Sequence, residues 1–376
     1  MLVANTEKGE QFICAPRFSR EKLSNIRQHT EFYCPQCKER VTMKIGYVMI
    51  PHFAHEANAA CNRLFSEGES QEHLLGKSQL FDYFQRVVEQ VELEPYIKSI
   101  AQRPDLLITN KNKQYAIEFQ CSSIAIEKLL MRSDGYREAE IEPIWLFKTP
   151  TKKIDAGKVI QKITLSPLLQ QAIVQQRKYR PYLITYNASK QQFVYFSNLL
   201  LVQGRTYLTK VQVLPLMKQR FPFYLPQTLT KDEFYLYWQL YKKSREQFVL
   251  AKLLRGQRGV QDPFLKSCYD MRIPVQKIPY YIGVPVRHAE EIPLFSLEWQ
   301  AMFHYFCMEL QISLENLCLG DIQLFLKQLH IEITADTVAA IKAYISFLLE
   351  LKTDQVEEVG ILEKLFDDLF AINTVN

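Results

Sequence analysis

No stretch of about 18 consecutive apolar residues, the length a helix needs to span a bilayer, occurs in this 376-residue sequence. Nor does it open on a basic segment followed by an apolar one and a small-residue cleavage site. MLVANTEKGEQ turns polar within a few residues. A cytoplasmic protein with no membrane span is the expectation. The eight cysteines lack the even spacing of a secreted disulfide framework, and two of them sit together as CPQC. In a reducing compartment such a pair points to metal binding or redox chemistry. Internal repeats and low-complexity linkers are absent as well, so composition announces no domain boundary. Disorder is excluded by the 47% hydrophobic and 12% aromatic content, enough for a sizeable core.

What is present is unevenly spread. The net charge of +5 divides into +6 over residues 1–204, +10 over 205–289 (15 Lys/Arg against 5 Asp/Glu) and −11 over 290–376 (4 against 15). A basic middle attracts phosphate backbones, and an acidic tail screens it or meets another partner. Lys8-Gly9 in the opening predicts a small hairpin. SEGESQEHLLGKSQLFDYFQRVVEQV sets Leu74, Leu75, Leu80, Phe81, Phe84 and Val87 at helical spacing. LEPYIKSI, PDLLIT and YAIEFQ read as strands, the last two joined by a tight turn in NKNKQ. IAIEKLLMRSDGYREAE returns to helix and PIWLFKT is a buried strand, so residues 69–148 run helix, three strands, helix, strand. Residues 179–215 read as β-hairpins, and KDEFYLYWQLYKKSREQFVLAKLLRG as a basic, aromatic-rich amphipathic helix. From about Ser296 the chain reads as helical throughout, with Thr334 or Asp336 capping the clearest helix.

One strand carries the chemistry. In YAIEFQ, Tyr115, Ile117 and Phe119 take one face, which leaves Ala116, Glu118 and Gln120 on the other. The turn in NKNKQ brings the Asp105 end of the preceding strand near the Glu118 end of this one. Two carboxylates converging at one sheet edge make a hard-oxygen site suited to Mg²⁺ or Mn²⁺, which leave positions open to water and phosphate oxygens. Phosphodiester hydrolysis needs that arrangement. The competing structural reading is a strand-end cap and a surface carboxylate.

Pro104-Asp105 followed by Glu118-Phe119-Gln120 on consecutive strands resembles the PD-(D/E)-x-K nuclease core, whose α-β-β-β-α-β order matches the one read above. The usual lysine is Gln120 here; an amide orients water but brings no charge. ESQEHLLGK, PDLLI, IEFQCSS, RSDGY and WLF in this order, preceded by CPQC and HFAH, resemble the competence protein CoiA family of Gram-positive bacteria. The resemblance implies a nuclease-like core and a role in natural transformation, in recombination of incoming single-stranded DNA. It also implies site residues: Asp105 and Glu118 as metal ligands and Gln120 holding the nucleophilic water. Glu69 and His73 would face the same site, His73 as a general base or phosphate contact. Lys77, one turn further, with Arg132 and Tyr136, would meet the DNA. Cys121 reads as a small buried thiol.

Cys34-x2-Cys37 and His52-x2-His55 together offer two thiolates and two imidazoles, a tetrahedral zinc shell. The short histidine spacing calls for a turn at Phe53-Ala54, and Cys61 is an alternative ligand. In the closed case zinc folds a small domain or grips DNA. Residues 205–289 add 14 aromatics to their 15 cations. Exposed rings beside Lys/Arg suit single-stranded nucleic acid, with Lys242, Lys243, Arg245, Arg255 and Arg258 as candidate backbone contacts, although core packing accounts for most of the rings.

The expected architecture is thus α+β and multidomain. A zinc-ribbon-like module (1–65) precedes a restriction-endonuclease-like domain (66–150), a basic aromatic mixed region (151–290) and an acidic helical region (291–376). The function expected is a Mg²⁺- or Mn²⁺-dependent DNA nuclease that assists recombination, with recombination proteins as further partners. The alternatives are a DNA-binding accessory that cleaves weakly or not at all, and a repair or restriction nuclease.

Overall fold

The computed structural model describes residues 1–14, 18–56, 69–150, 154–155, 157–176, 179–255, 259–351 and 357–370. It is a mixed α+β protein whose chain divides into two compact units. The first comprises residues 1–151, 183–195 and 213–225; the second takes 152–182, 196–212 and 226–376.

The first unit opens with the expected hairpin. β1 (Val3–Thr6) and β2 (Gln11–Ile13) pair antiparallel, and Gly9 supplies the left-handed turn residue with φ +81°. A helix the sequence reading did not anticipate follows, α1 (Arg20–His29), capped by the Ser19 side chain. β3 (Phe32–Tyr33), β4 (Arg40–Lys44) and β5 (His52–Ala54) complete a five-stranded sheet in the order β2-β1-β3-β4-β5. Its core gathers Leu23, Phe32, Val41, Met43 and Phe53.

The next six elements follow the expected order: α2 (Gln71–Phe84), β6 (Gln90–Leu93), β7 (Leu106–Asn110), β8 (Lys113–Gln120), α3 (Ile126–Glu138) and β9 (Ile141–Lys148). β6, β7 and β8 pair antiparallel and β9 runs parallel to β8, with Gln120 opposite Phe147. The β7–β8 turn is the two-residue Lys111-Asn112, both at positive φ, the primed geometry that matches strand twist. The first strand lies at 90–93 instead of in LEPYIKSI. Glu94 turns left-handed (φ +50°) and Pro95 has no N–H to donate, so the ladder ends there. α2 also stops earlier than the hydrophobic spacing suggested, leaving Val87 outside it. α3 passes through Asp134-Gly135 unbroken.

Both faces of β8 are covered. Ile117 and Phe119 join Leu74, Leu80, Phe81 and Phe84 of α2 in one core, while Ala116 packs with Tyr136 of α3 on the other side. Each of the buried Leu, Ile and Phe side chains contributes about 1.5–3 kcal/mol by leaving water. α2 approaches β8 at Gly76, where a Cβ would stand 2.1 Å from a ring carbon of Phe119. A mid-helix glycine costs about 1 kcal/mol against alanine, and this close approach is what requires it.

In the second unit β10 (Ile160–Thr164) is followed by α4 (Pro167–Gln171) and β11 (Val174–Gln176). The strands expected over 179–215 are β12 (Tyr179–Asn187), β13 (Gln192–Gln203) and β14 (Thr206–Pro215), of which residues 183–187, 192–195 and 213–215 belong to the first unit. α5 (Lys231–Arg255) is the basic aromatic helix, and α6 (Pro263–Asp270) follows it. The acidic end is helical as expected: α7 (Ser296–Glu309), α8 (Leu319–Gln328), α9 (Ala335–Glu350) and α10 (Glu358–Phe370). Thr334 caps α9 by accepting from Thr337 N at 3.1 Å. Trp238, Tyr241, Phe248, Trp299, Phe303 and Tyr344 lie in the core of this unit.

Gly76→Ala is expected to destabilise the first unit by about 1–3 kcal/mol through overpacking against Phe119. Denaturant unfolding that finds the variant as stable as wild type would contradict the close approach of α2 to β8.

Candidate functional site

A cleft of about 490 Å³ opens in the first unit where α2 meets the ends of β7, β8 and β9. The antiparallel register that sets Leu106 against Ile117 brings Asp105 beside Glu118, as the sequence suggested. Phe119 N donates to Asp105 Oδ2 at 2.8 Å, and His73 Nε2 lies 3.0 Å from the same oxygen. Ser70 caps α2 and so presents His73 and Lys77 from successive turns. Burial alone would raise the Asp105 carboxyl. The charges of His73 and Lys77, with both hydrogen bonds, hold it well below the usual carboxylate range.

Lys77 is buried and its ammonium contacts Glu69 and Glu94, with Asp105 Oδ1 at 3.5 Å. Burial opposes its charge, yet the three carboxylates keep it protonated well above the ordinary lysine range. Glu94 is nearly inaccessible and also accepts from Leu2 N (2.9 Å) and Val3 N (3.2 Å). It was not foreseen: nothing in LEPY marks a carboxylate turned inward by a left-handed residue.

Glu118 takes a different partner set. Arg132 and Tyr136 on α3 both donate to its Oε1, and Arg132 also reaches the Arg103 carbonyl at 3.3 Å. Burial raises the Glu118 carboxyl, Arg132 pulls it back and Asp105 adds to the rise, so the net shift is upward. The sequence assigned Arg132, Tyr136 and Lys77 to the DNA. All three are instead engaged inside the protein, because each lies within reach of a carboxylate that burial leaves in need of a counter-charge. The ligand atoms that converge within 4.8 Å are those of Glu69, His73 and Asp105. Gln120 Nε2 donates to Ser122 O and Oγ, both at 3.0 Å. At the cleft edge Lys148, at the end of β9, pairs with Glu72 of α2, a pairing no local pattern announces.

The cleft is zoned by charge. Its inner part holds Glu69, Glu94, Asp105 and Glu118 against Lys77, Arg132 and the Met1 ammonium that pairs with Glu69, a surplus of one negative charge before His73 is counted. Among the other lining residues Arg103, Lys128 and Lys148 outnumber Glu72. The donor set of Glu69, His73 and Asp105, with the negative surplus, fits a divalent cation that prefers oxygen ligands.

In the N-terminal sheet, Cys34, Cys37 and His55 form a second converging group, with Cys37 Sγ 3.3 Å from His55 Nε2. That separation matches a tetrahedral edge for bonds of about 2.0–2.3 Å. His52 stands apart, its Nδ1 on Ile50 O at 2.9 Å. β5 runs as a strand through Phe53 and Ala54, so positions 52 and 55 take opposite faces and do not share an ion. Cys61 lies outside the described residues.

Within the second unit two cations of the basic middle pair with the acidic tail. Lys242 pairs with Glu358, Lys252 with Glu298 and Asp262, and buried Arg245 donates to the Pro279 and Tyr280 carbonyls. Lys243 is exposed; the Arg255 side chain and Arg258 lie outside the described residues. Phe234, Tyr237, Trp238, Tyr241, Phe248 and Phe264 are buried, whereas Tyr235 and Tyr269 are exposed.

Lys77→Met is expected to cost about 3–5 kcal/mol at pH 7, since it strands buried carboxylates. Glu69, Glu94 and Asp105 titrate below their ordinary range, so their stabilisation is present above about pH 4 and is lost as pH falls. The deficit of the variant should therefore shrink below about pH 4, which denaturant unfolding from pH 7 to pH 3 measures.

The geometry can be set beside known proteins. Residues 69–228 match the family model described as the competence protein CoiA nuclease-like domain, and residues 15–63 match the CoiA N-terminal domain. The chain is similar to the competence protein CoiA of Bacillus subtilis (strain 168), 31% identical over 185 residues, which is 49% of this chain and 48% of that relative. The match thus spans about half the length of the relative. No solved structure matches the chain. Among the described residues no helix is long and apolar enough to cross a membrane. With both of its family models matched in order along residues 15–228, the chain belongs to the competence protein CoiA family.

Proposed function

We propose that the chain is a Mg²⁺- or Mn²⁺-dependent DNA nuclease of natural transformation, acting in the cytoplasm on incoming single-stranded DNA and assisting its recombination. The observation that carries this reading is the convergence of Glu69, His73 and Asp105 within 4.8 Å, in a cleft whose edge adds Arg103, Lys128 and Lys148 against Glu72. On this reading residues 66–150 are a restriction-endonuclease-like core, and Asp105, Glu69 and His73 hold the divalent ion. A bound ion of this kind lowers the pKa of water and faces the charge developing on a phosphate. With Nε2 turned to Asp105, His73 would meet the ion through its other ring nitrogen. Glu118 is fixed by Arg132 and Tyr136 beside that group, and Arg103 and Lys128 meet the DNA backbone.

A second reading, a DNA-binding recombination accessory that cleaves weakly, is favoured by two observations. The Gln120 amide is spent on Ser122, and Lys77 already neutralises part of the carboxylate group. Cleavage of single- and double-stranded DNA with Mn²⁺ separates the two. The nuclease reading expects cutting by wild type and a loss of about a hundredfold or more in folded Asp105→Asn. Salt-sensitive binding that survives the substitution, with no cutting in any divalent metal, selects the accessory.

The N-terminal module, a zinc-ribbon-like domain on this reading, holds zinc through Cys34, Cys37 and His55, with a structural role. Protein purified without chelator should carry close to one zinc per chain, and Cys37→Ser should lose it. Metal analysis finding less than about half an equivalent in wild type would exclude the site.

A further inference from the structure

Position 120 offers an amide where phosphodiester chemistry benefits from a cation, which raises the question of what else faces the cleft with positive charge. Lys77 is enclosed by three carboxylates and Arg132 is committed to Glu118. Lys148 differs from both. It sits one residue past Phe147, the parallel partner of Gln120, so β9 delivers it beside Cys121 at the same strand end. It lines the cleft, its side chain is 41% exposed, and Glu72 is its ion-pair partner.

Such a pair is weakly held. An exposed ion pair contributes about 0–1 kcal/mol, so a phosphate can exchange for the carboxylate at small cost. Cys121 lines the same cleft as both groups. Burial pushes it up to about 12, Glu72 and Asp105 add to the rise, and Lys148 and Lys77 act against it. One side chain thus lies within the electrostatic reach of both Asp105 and the Lys148–Glu72 pair.

We propose that Lys148 supplies from β9 the phosphate-facing cation that position 120 lacks, and that Glu72 holds its ammonium in place until a DNA phosphate replaces the carboxylate. This rests on the nuclease reading of the same cleft. On binding, the Lys148–Glu72 contact opens and a charge-assisted contact to a non-bridging phosphate oxygen forms; no covalent bond to the protein is made.

The test is a set of full-chain variants compared for Mn²⁺-dependent cleavage and for DNA binding across a salt series, with folding checked by thermal denaturation. Lys148→Gln should lower cleavage about a hundredfold, the scale for removing one group that stabilises developing charge. Adding Gln120→Lys to Lys148→Gln should restore most of the lost rate, because the cation returns to the same strand end. Glu72→Gln should tighten binding. Cleavage by folded Lys148→Gln at the wild-type rate overturns the proposal, as does a loss that Gln120→Lys fails to repair. If wild type cuts in no divalent metal the nuclease reading fails, and the binding arm still decides. Lys148→Gln should then reduce the salt slope by about one, and an unchanged slope overturns the proposal.

Discussion

The buried ammonium of Lys77 is the contact on which the first unit turns. Taking a lysine out of water is costly unless opposite charges surround it, and here Glu69, Glu94 and Asp105 do so. Each of those partners has a second attachment, and that of Glu69 is the Met1 ammonium. Glu94 accepts from the backbone of β1, and Asp105 from Phe119 N in β8. One charge therefore ties α2, the end of β6, the start of β7 and the first strand together. The cleft floor exists because these groups need one another.

A second cluster stands on the other face of β8. Glu118 would be an uncompensated buried charge without Arg132 and Tyr136, and α3 is the element that brings both. The two clusters divide the neighbouring acids of one strand end between different tasks. Asp105 faces the Glu69–His73 group, and Glu118 anchors α3 to the sheet. Lys77, Arg132 and Tyr136, assigned to nucleic acid from sequence, serve this internal balance. The remaining cleft cations, Arg103, Lys128 and Lys148, are less enclosed than Lys77. In the second unit the same economy operates between α5 and the acidic helices, which is why a stretch so basic in sequence offers fewer free cations than its composition implies.

Much of the fold was legible because it is written in local periodicity. The hairpin at Gly9, the α-β-β-β-α-β order over 69–148, the turn at Lys111-Asn112 and the helices after Ser296 all follow from spacing and turn chemistry. Misplaced elements have local causes of another kind. β6 ends at a left-handed Glu94 before a proline, and α1 carries an apolar face too narrow to stand out. In the N-terminal module, Cys34 and Cys37 were identifiable from their spacing, but His52 and His55 looked equivalent. Only the course of β5 as a strand separates them.

By itself the sequence marked Asp105 and Glu118 as neighbouring carboxylates at one strand end and showed roughly where along the chain the surrounding titratable residues fall. Strand alternation and the tight turn were enough to bring Asp105 to Glu118, since both are short-range consequences of backbone geometry. The tertiary structure alone decided which charges pair. Lys77 with Glu94, Arg132 with Glu118 and Lys148 with Glu72 each join residues from different elements. Electrostatic partners are set by distance and burial in three dimensions, and neither quantity is encoded in the spacing of a linear chain.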